Sequence, residues 1–137
     1  FGEKDWQQLA VIRRMARDLD LTFPHVAAIH GVPIVRDDDG LAMSSRNAYL
    51  SPQNRERASA LPQAMRDAAA VVAKGGEAGR ALANLRESLR VSGFDSVDYA
   101  ELRDADSLAP LAADNGNARL FVAARIGGTR LIDNLAV

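Results

Sequence analysis

Ser51-Pro52-Gln53-Asn54-Arg55-Glu56-Arg57-Ala58-Ser59-Ala60-Leu61-Pro62 is the stretch at which the chain changes texture. Ser51 offers an oxygen to an unpaired backbone N–H, and Pro52 brings a preset φ to a position that needs no donor, so a helix starts here. An Ala-rich run carries the helix to about Lys74, where Gly75-Gly76 stops it. Pro62 lies inside that run. It has no N–H and crowds the carbonyl four residues back, so it must kink the helix or split it. A second helix is predicted over residues 78–91, with Leu82, Leu85 and Leu89 on one face and Gly93 beyond its end. Three extended runs follow, at 96–102, 119–124 and 129–134, and Gly127-Gly128 between the last two is a hairpin signal.

Upstream of Ser51 the pattern is different. Leu9, Ile12, Met15, Ala16 and Leu19 recur at helical spacing, and Asp5 is placed to cap the helix before Trp6. Val26-Ala27-Ala28-Ile29-His30-Gly31-Val32-Pro33 is short, apolar and partly β-branched, and reads as a buried strand that Pro33 ends or pushes to an edge. Arg36-Asp37-Asp38-Asp39-Gly40 is a polar turn, and Leu41-Ala42-Met43 leads from it into Ser44-Ser45-Arg46-Asn47. The order is a strand–helix remnant and then ααβββ. The expected fold class is therefore α/β plus α+β: a cut α/β unit over residues 1–50 and a small helix-and-antiparallel-sheet domain over residues 51–137.

Composition narrows the function. Seventeen Lys and Arg against eighteen Asp and Glu leave no basic excess, so a broad nucleic-acid footprint is not expected. No apolar run approaches the roughly 20 residues of a membrane-spanning helix. With no cysteine, disulfide scaffolds, thiolate zinc sites and thiol nucleophiles are excluded together, which fits a cytoplasmic protein. The chain opens on Phe1-Gly2-Glu3-Lys4-Asp5, with neither an initiator Met nor a signal-like segment, and is expected to be a piece of a longer protein.

Two clusters hold groups suited to a nucleotide. Gly2-Glu3-Lys4-Asp5 stands at a helix start, where backbone N–H groups and the positive end of the helix dipole gather; Lys4 can meet a phosphate, Asp5 a ribose hydroxyl, and Gln8 follows one turn later. The same residues also read as an ordinary capped helix with Glu3 and Lys4 in solvent. In Met43-Ser44-Ser45-Arg46-Asn47, two hydroxyls and a guanidinium can hold phosphate oxygens and neutralise developing charge. The alternative there is a serine turn capping its own backbone. His25 and His30 lack ligand spacing and read as structural. Asp37-Asp38-Asp39 reads as a solvated charged face rather than a metal site, and Asp133-Asn134 as the end of a strand.

The clusters occur in an informative order. Phe-Gly-Glu-Lys-Asp-Trp-Gln-Gln-Leu at 1–9, Gly-Val-Pro-Ile-Val-Arg at 31–36 and Asp-Gly-Leu-Ala-Met-Ser-Ser-Arg-Asn at 39–47 together resemble the pantothenate synthetase (pantoate–β-alanine ligase) family. So do Glu101-Leu102-Arg103-Asp104-Ala105, Val122-Ala123-Ala124-Arg125 and Arg130-Leu131-Ile132-Asp133-Asn134. The resemblance runs the whole chain and corresponds to the C-terminal half of a complete family enzyme.

The resemblance implies residues 1–50 to be the end of a Rossmann-like nucleotidyltransferase domain and residues 51–137 a lid or substrate domain. It implies ATP binding by Gly2, Glu3, Lys4, Asp5, Val35, Met43, Ser44, Ser45 and Arg46, with Val35 meeting adenine through its backbone and Gln8 meeting pantoate. Lys4, Ser44 and Arg46 would be the catalytic holders of phosphate charge. ATP with Mg²⁺, pantoate and β-alanine are the implied ligands, with no tightly bound cofactor and no metal held by the chain, in a cytoplasmic homodimer. Met43 stands where the family more usually has Leu, and residues 21–28 form a longer connection than usual. The family's His-x-Gly-His-type motif does not occur in these residues, so low activity is expected of this piece alone. A non-catalytic lid or dimerisation module and a related nucleotidyltransferase are the alternative readings.

Overall fold

A computed structural model describes all residues, 1–137, as two compact units, Phe1–Val35 and Arg36–Val137. The first holds one α-helix, α1 (Trp6–Asp18), entered through a 3₁₀ turn at Glu3–Asp5. Leu9, Ala16 and Ile29 are its buried residues, with Ile12, Leu21 and Val26 packed against them. These are the apolar positions of the helical stripe plus the loop that returns over it.

The expected strand over 26–33 does not form. Val26–Ala28 is a single 3₁₀ turn whose start is capped by His25, the Nδ1 atom accepting from the Ala27 N–H at 3.2 Å. Only one ladder contact survives, a parallel bridge between Gly2 and Val32. A strand needs neighbours to take its backbone groups, and within this unit the 26–33 run finds one residue's worth. Asp5 also departs from expectation. The helical turn already begins at Glu3, and the Asp5 side chain makes no cap hydrogen bond.

The second unit follows the sequence closely. Ser51 caps α2 (Pro52–Ala58), its hydroxyl oxygen accepting from the Asn54 N–H at 3.2 Å. The helix breaks at Ser59 and resumes as α3 (Ala60–Ala73). Pro62 explains the break, because it cannot donate to the Ala58 carbonyl and its ring occupies that space. At the end of α3 the Gly75 and Gly76 amides turn back onto the Val72 and Val71 carbonyls, both at 2.9 Å. Helix α4 (Ala78–Val91) ends the same way, with the Gly93 and Phe94 amides on Arg90 and Leu89. These paired reverse bonds satisfy carbonyls that the helix leaves open.

Strands β1 (Ser96–Asp104), β2 (Ala118–Ile126) and β3 (Thr129–Ala136) form an antiparallel sheet in that order. Ile126 pairs with Thr129, so Gly127 and Gly128 make a two-residue turn, with φ of 55° and 78°. The positive φ is what favours glycine at position 127; the end of the Asn54 side chain also lies where a Cβ would stand and would have to move aside. Helices α3 and α4 cover one face of the sheet. Their Leu61, Met65, Leu85 and Leu89 meet Leu102, Leu120, Val122 and Ile126 in one core, an α+β arrangement. Leu41, 2% exposed, belongs to this core, which fixes residues 36–50 within the second unit.

Candidate functional site

The first cluster is built on the entry to α1. The Glu3 N–H donates to the Val32 carbonyl and the Val32 N–H to the Phe1 carbonyl, each at 2.8 Å, so the Gly2 backbone is held from both sides. Space is open where a Gly2 Cβ would project, so this backbone can be approached closely. The Glu3 side chain lies across Gly31, leaving no room for a Cβ there, which gives Glu3 a packing role. Lys4 is half-buried, and Asp5 and Gln8 are exposed. Gln8 follows on the first turn of α1, while Lys4 belongs to the 3₁₀ turn that enters it. Leu9, 1% exposed, ties this turn to the small core. Val35 closes the unit as an exposed residue.

The second cluster sits beyond a tight hairpin. Arg36 bridges Ala42, the Asp37 amide donates to Leu41 at 2.9 Å, and Gly40 turns the chain at a φ of 88°. Met43 is exposed, and Ser44 then caps a 3₁₀ turn over Ser45–Tyr49, its Oγ accepting from the Arg46 N–H at 3.2 Å. The Asn47 amide donates to the Ala42 carbonyl at 3.3 Å, while its Oδ1 is buried with no hydrogen-bond partner. Ser45 and Arg46 face solvent, and no side chain of the protein pairs with the Arg46 guanidinium. Met43, Ser44, Ser45 and Arg46 are thus brought together, with hydroxyl, amide and guanidinium donors on one short turn.

Two arginine–aspartate clamps hold this hairpin. Arg36 makes a two-pronged pair with Asp133 at 2.7 and 3.0 Å, and its Nη1 also donates to the Gly40 carbonyl at 2.9 Å. The Asp133 carboxylate is 1% exposed and accepts the Asn134 N–H as well. From α2, Arg55 donates to Asp39 and to Asp37, the latter at 2.9 Å. The hydrogen bond from Arg55 holds the Asp39 carboxyl below its usual range, and the same bond raises the guanidinium.

These clamps correct two expectations. Asp37 and Asp39 are ion-paired to Arg55 rather than free charges on a solvated face; Asp38 and Asp39 stay exposed and Asp37 is half-buried. Asp133 and Asn134 lie buried inside β3 rather than ending it. Spacing did not single out these pairs, because Arg36 and Asp133 are 97 residues apart and Arg55 reaches Asp39 and Asp37 across 16 and 18 residues, beyond any local repeat. No three His, Cys, Asp or Glu side chains gather into a metal-binding group. No helix is long and apolar enough to cross a membrane.

Comparison with known proteins adds a further finding. The family model described as pantoate-beta-alanine ligase matches residues 1–136. A pantothenate synthetase of Novosphingobium aromaticivorans is 61% identical over 100% of this chain and 48% of its own length, and one of Rhizorhabdus wittichii is 58% identical over 100% and 47%. The chain thus spans about half the length of the curated relatives it matches. The crystal structure of pantothenate synthetase from Thermus thermophilus superposes with a TM-score of 0.83 at 44% identity, covering 98% of this chain and 48% of that one. A pantoate-beta-alanine ligase from Francisella tularensis, complexed with beta-gamma ATP and beta-alanine, gives a TM-score of 0.65 at 26% identity, covering 98% and 41%.

Proposed function

Since the chain belongs to the pantoate–β-alanine ligase family, we propose that it is part of an ATP-dependent ligase that condenses pantoate with β-alanine to make pantothenate, a coenzyme A precursor. In the first step a pantoate carboxylate oxygen attacks the α-phosphorus of ATP, giving pantoyl adenylate and pyrophosphate. In the second the β-alanine amine attacks the acyl carbon and AMP leaves.

The observation that carries this reading is Arg46. It is exposed and unpaired on a turn that is capped by Ser44 and follows a hairpin held by ion pairs. A guanidinium kept clear of internal partners is free for an external anion, and the hydroxyls of Ser44 and Ser45 stand beside it in sequence. Lys4, Ser44 and Arg46 hold phosphate charge in this proposal. Gly2, Glu3 and Met43 shape the approach, Asp5 takes the ribose, Val35 the adenine and Gln8 the pantoate. Mg²⁺ arrives with ATP, carried on its phosphate oxygens.

Residues 1–50 are proposed as the end of a Rossmann-like domain and 51–137 as the lid or substrate domain, in a cytoplasmic homodimer. The test is product analysis on the full-length enzyme. ATP and pantoate should release pyrophosphate, and added β-alanine should release AMP with pantothenate. A nucleotidylated product without AMP would overturn the proposal in favour of a nucleotidyltransferase.

A further inference from the structure

The Arg36–Asp133 pair has no part in the chemistry proposed above, yet both side chains are heavily engaged. Both Asp133 oxygens are used by Arg36, Asp133 Oδ1 also takes the Asn134 N–H, and Arg36 spends a further N–H on the Gly40 carbonyl. A buried ion pair is a poor device for stability alone, since well-packed apolar residues in its place are often as good or better. What a planar two-pronged pair supplies is a fixed geometry.

The geometry fixed here leads directly to Arg46. Asp133 lies in β3, in the middle of a hydrogen-bonded ladder and 4% exposed, which makes it a rigid post. Arg36 connects that post to both arms of the hairpin, through the Gly40 carbonyl and through its own bridge to Ala42. The Ala42 carbonyl takes the Asn47 amide, and two residues beyond Ala42 the Ser44 cap starts the turn that carries Arg46. Every link is a hydrogen bond or a covalent neighbour.

We propose that Arg36 and Asp133 are positioning residues for the ligase reaction, holding the Ser44–Arg46 turn at the height where its donors meet the polyphosphate. This rests on the functional reading above, and its test is a double-mutant cycle on the full-length enzyme. Single-turnover pyrophosphate release at saturating ATP and pantoate is measured for wild type, Asp133→Asn, Arg46→Ala and the double variant, each normalised to folded protein by circular dichroism. Asp133→Asn keeps the shape and removes the charge. It should slow release by up to about 10²-fold, the scale set by small misplacements of a reacting group, with little change in pantoate KM. In the Arg46→Ala background the same change should add less than about threefold, because the group it positions is gone.

Independent, multiplying effects would overturn the proposal, as would an Asp133→Asn enzyme that loses thermal stability but keeps its rate. If Asp133→Asn does not fold, Arg36→Lys carries the cycle, since it retains the charge and loses the fork. The two readings fail differently. A fully active Arg46→Ala enzyme defeats the functional assignment of the turn, whereas an inactive Arg46→Ala beside a normal Asp133→Asn defeats only the positioning role.

Discussion

At the scale of single residues, the physics turns on which charges are already spent. Arg36 and Arg55 are committed to carboxylates inside the protein, while the Arg46 guanidinium is paired with none. If that guanidinium meets the polyphosphate, its contribution grows as the bridging oxygen becomes a leaving group. Arg46→Ala in the full-length enzyme should therefore cost about 3–4 kcal/mol in adenylation, about 10²–10³ in rate, with the unfolding midpoint unchanged. Arg46→Lys should fall between the two, because it keeps charge and loses the planar fork. Pre-steady-state pyrophosphate release measures both. A surface turn without a ligand would instead give at most about 0.5 kcal/mol of stability change and no rate effect. Asp39 makes a prediction with a definite sign. Its carboxyl is held below the usual range by the Arg55 hydrogen bond. A depressed folded-state pKa contributes stability above the unfolded value, about 3.9, and that contribution is lost as pH falls through the folded value. The stability gap between wild type and Asp39→Asn should thus be constant from pH 7 to about 5 and shrink below that. Urea unfolding across this range tests it, and a gap that widened in acid would contradict the pairing.

At the scale of elements, what could be read from sequence was what is specified locally. Pro62 announced the α2–α3 break, Ser51-Pro52 the start, and Gly127-Gly128 the hairpin, because each acts through its own backbone and that of near neighbours. The 26–33 run misled for the opposite reason. Valine and isoleucine favour a strand only when a ladder is offered, and here a local cap from His25 and a single bridge at Val32 decided the outcome. The two nucleotide-suited clusters stood out by composition, but the clamps behind the second did not, since Arg36–Asp133 spans 97 residues. Gly93 shows how sharp a local signal can be. It closes α4 at a φ of 93°, and Phe94 beyond it is buried in the same core as Leu89. Gly93→Ala puts a Cβ into the left-handed region at a cost of about 1–2 kcal/mol. A domain of this size should then lose about 4–8 °C in melting temperature for each kcal/mol. Scanning calorimetry checks this. An unchanged midpoint would mean that the helix ends elsewhere in solution.

At the scale of the whole molecule, the two units are unequal. The second buries twenty residues in one continuous core across three helices and a sheet, whereas the first buries three. Apolar area removed from water is the main term opposing chain entropy, and units below roughly 40 residues seldom supply enough of it on their own. Residues 1–35 should therefore open far more often than residues 36–137. Native-state hydrogen exchange on this 137-residue chain makes the difference measurable. Amides of α4 and β2 should exchange only through global unfolding of their unit, with a strong dependence on urea. Those of α1 should exchange by a smaller opening, several kcal/mol below that limit, and should lose protection at lower urea. Limited proteolysis should agree, cutting first within residues 1–35 and leaving 36–137 intact. Equal protection in α1 and β2 would show that the three-residue core is not what holds α1. The consequence reaches the proposed chemistry, because Gln8 stands on the first turn of that helix and Gly2, Lys4 and Asp5 stand on or beside the 3₁₀ turn that leads into it. A group that spends part of its time unfolded binds with an affinity reduced by its competent fraction. If the entry to α1 holds the nucleotide as proposed, whatever stabilises α1 should tighten that binding in the same proportion.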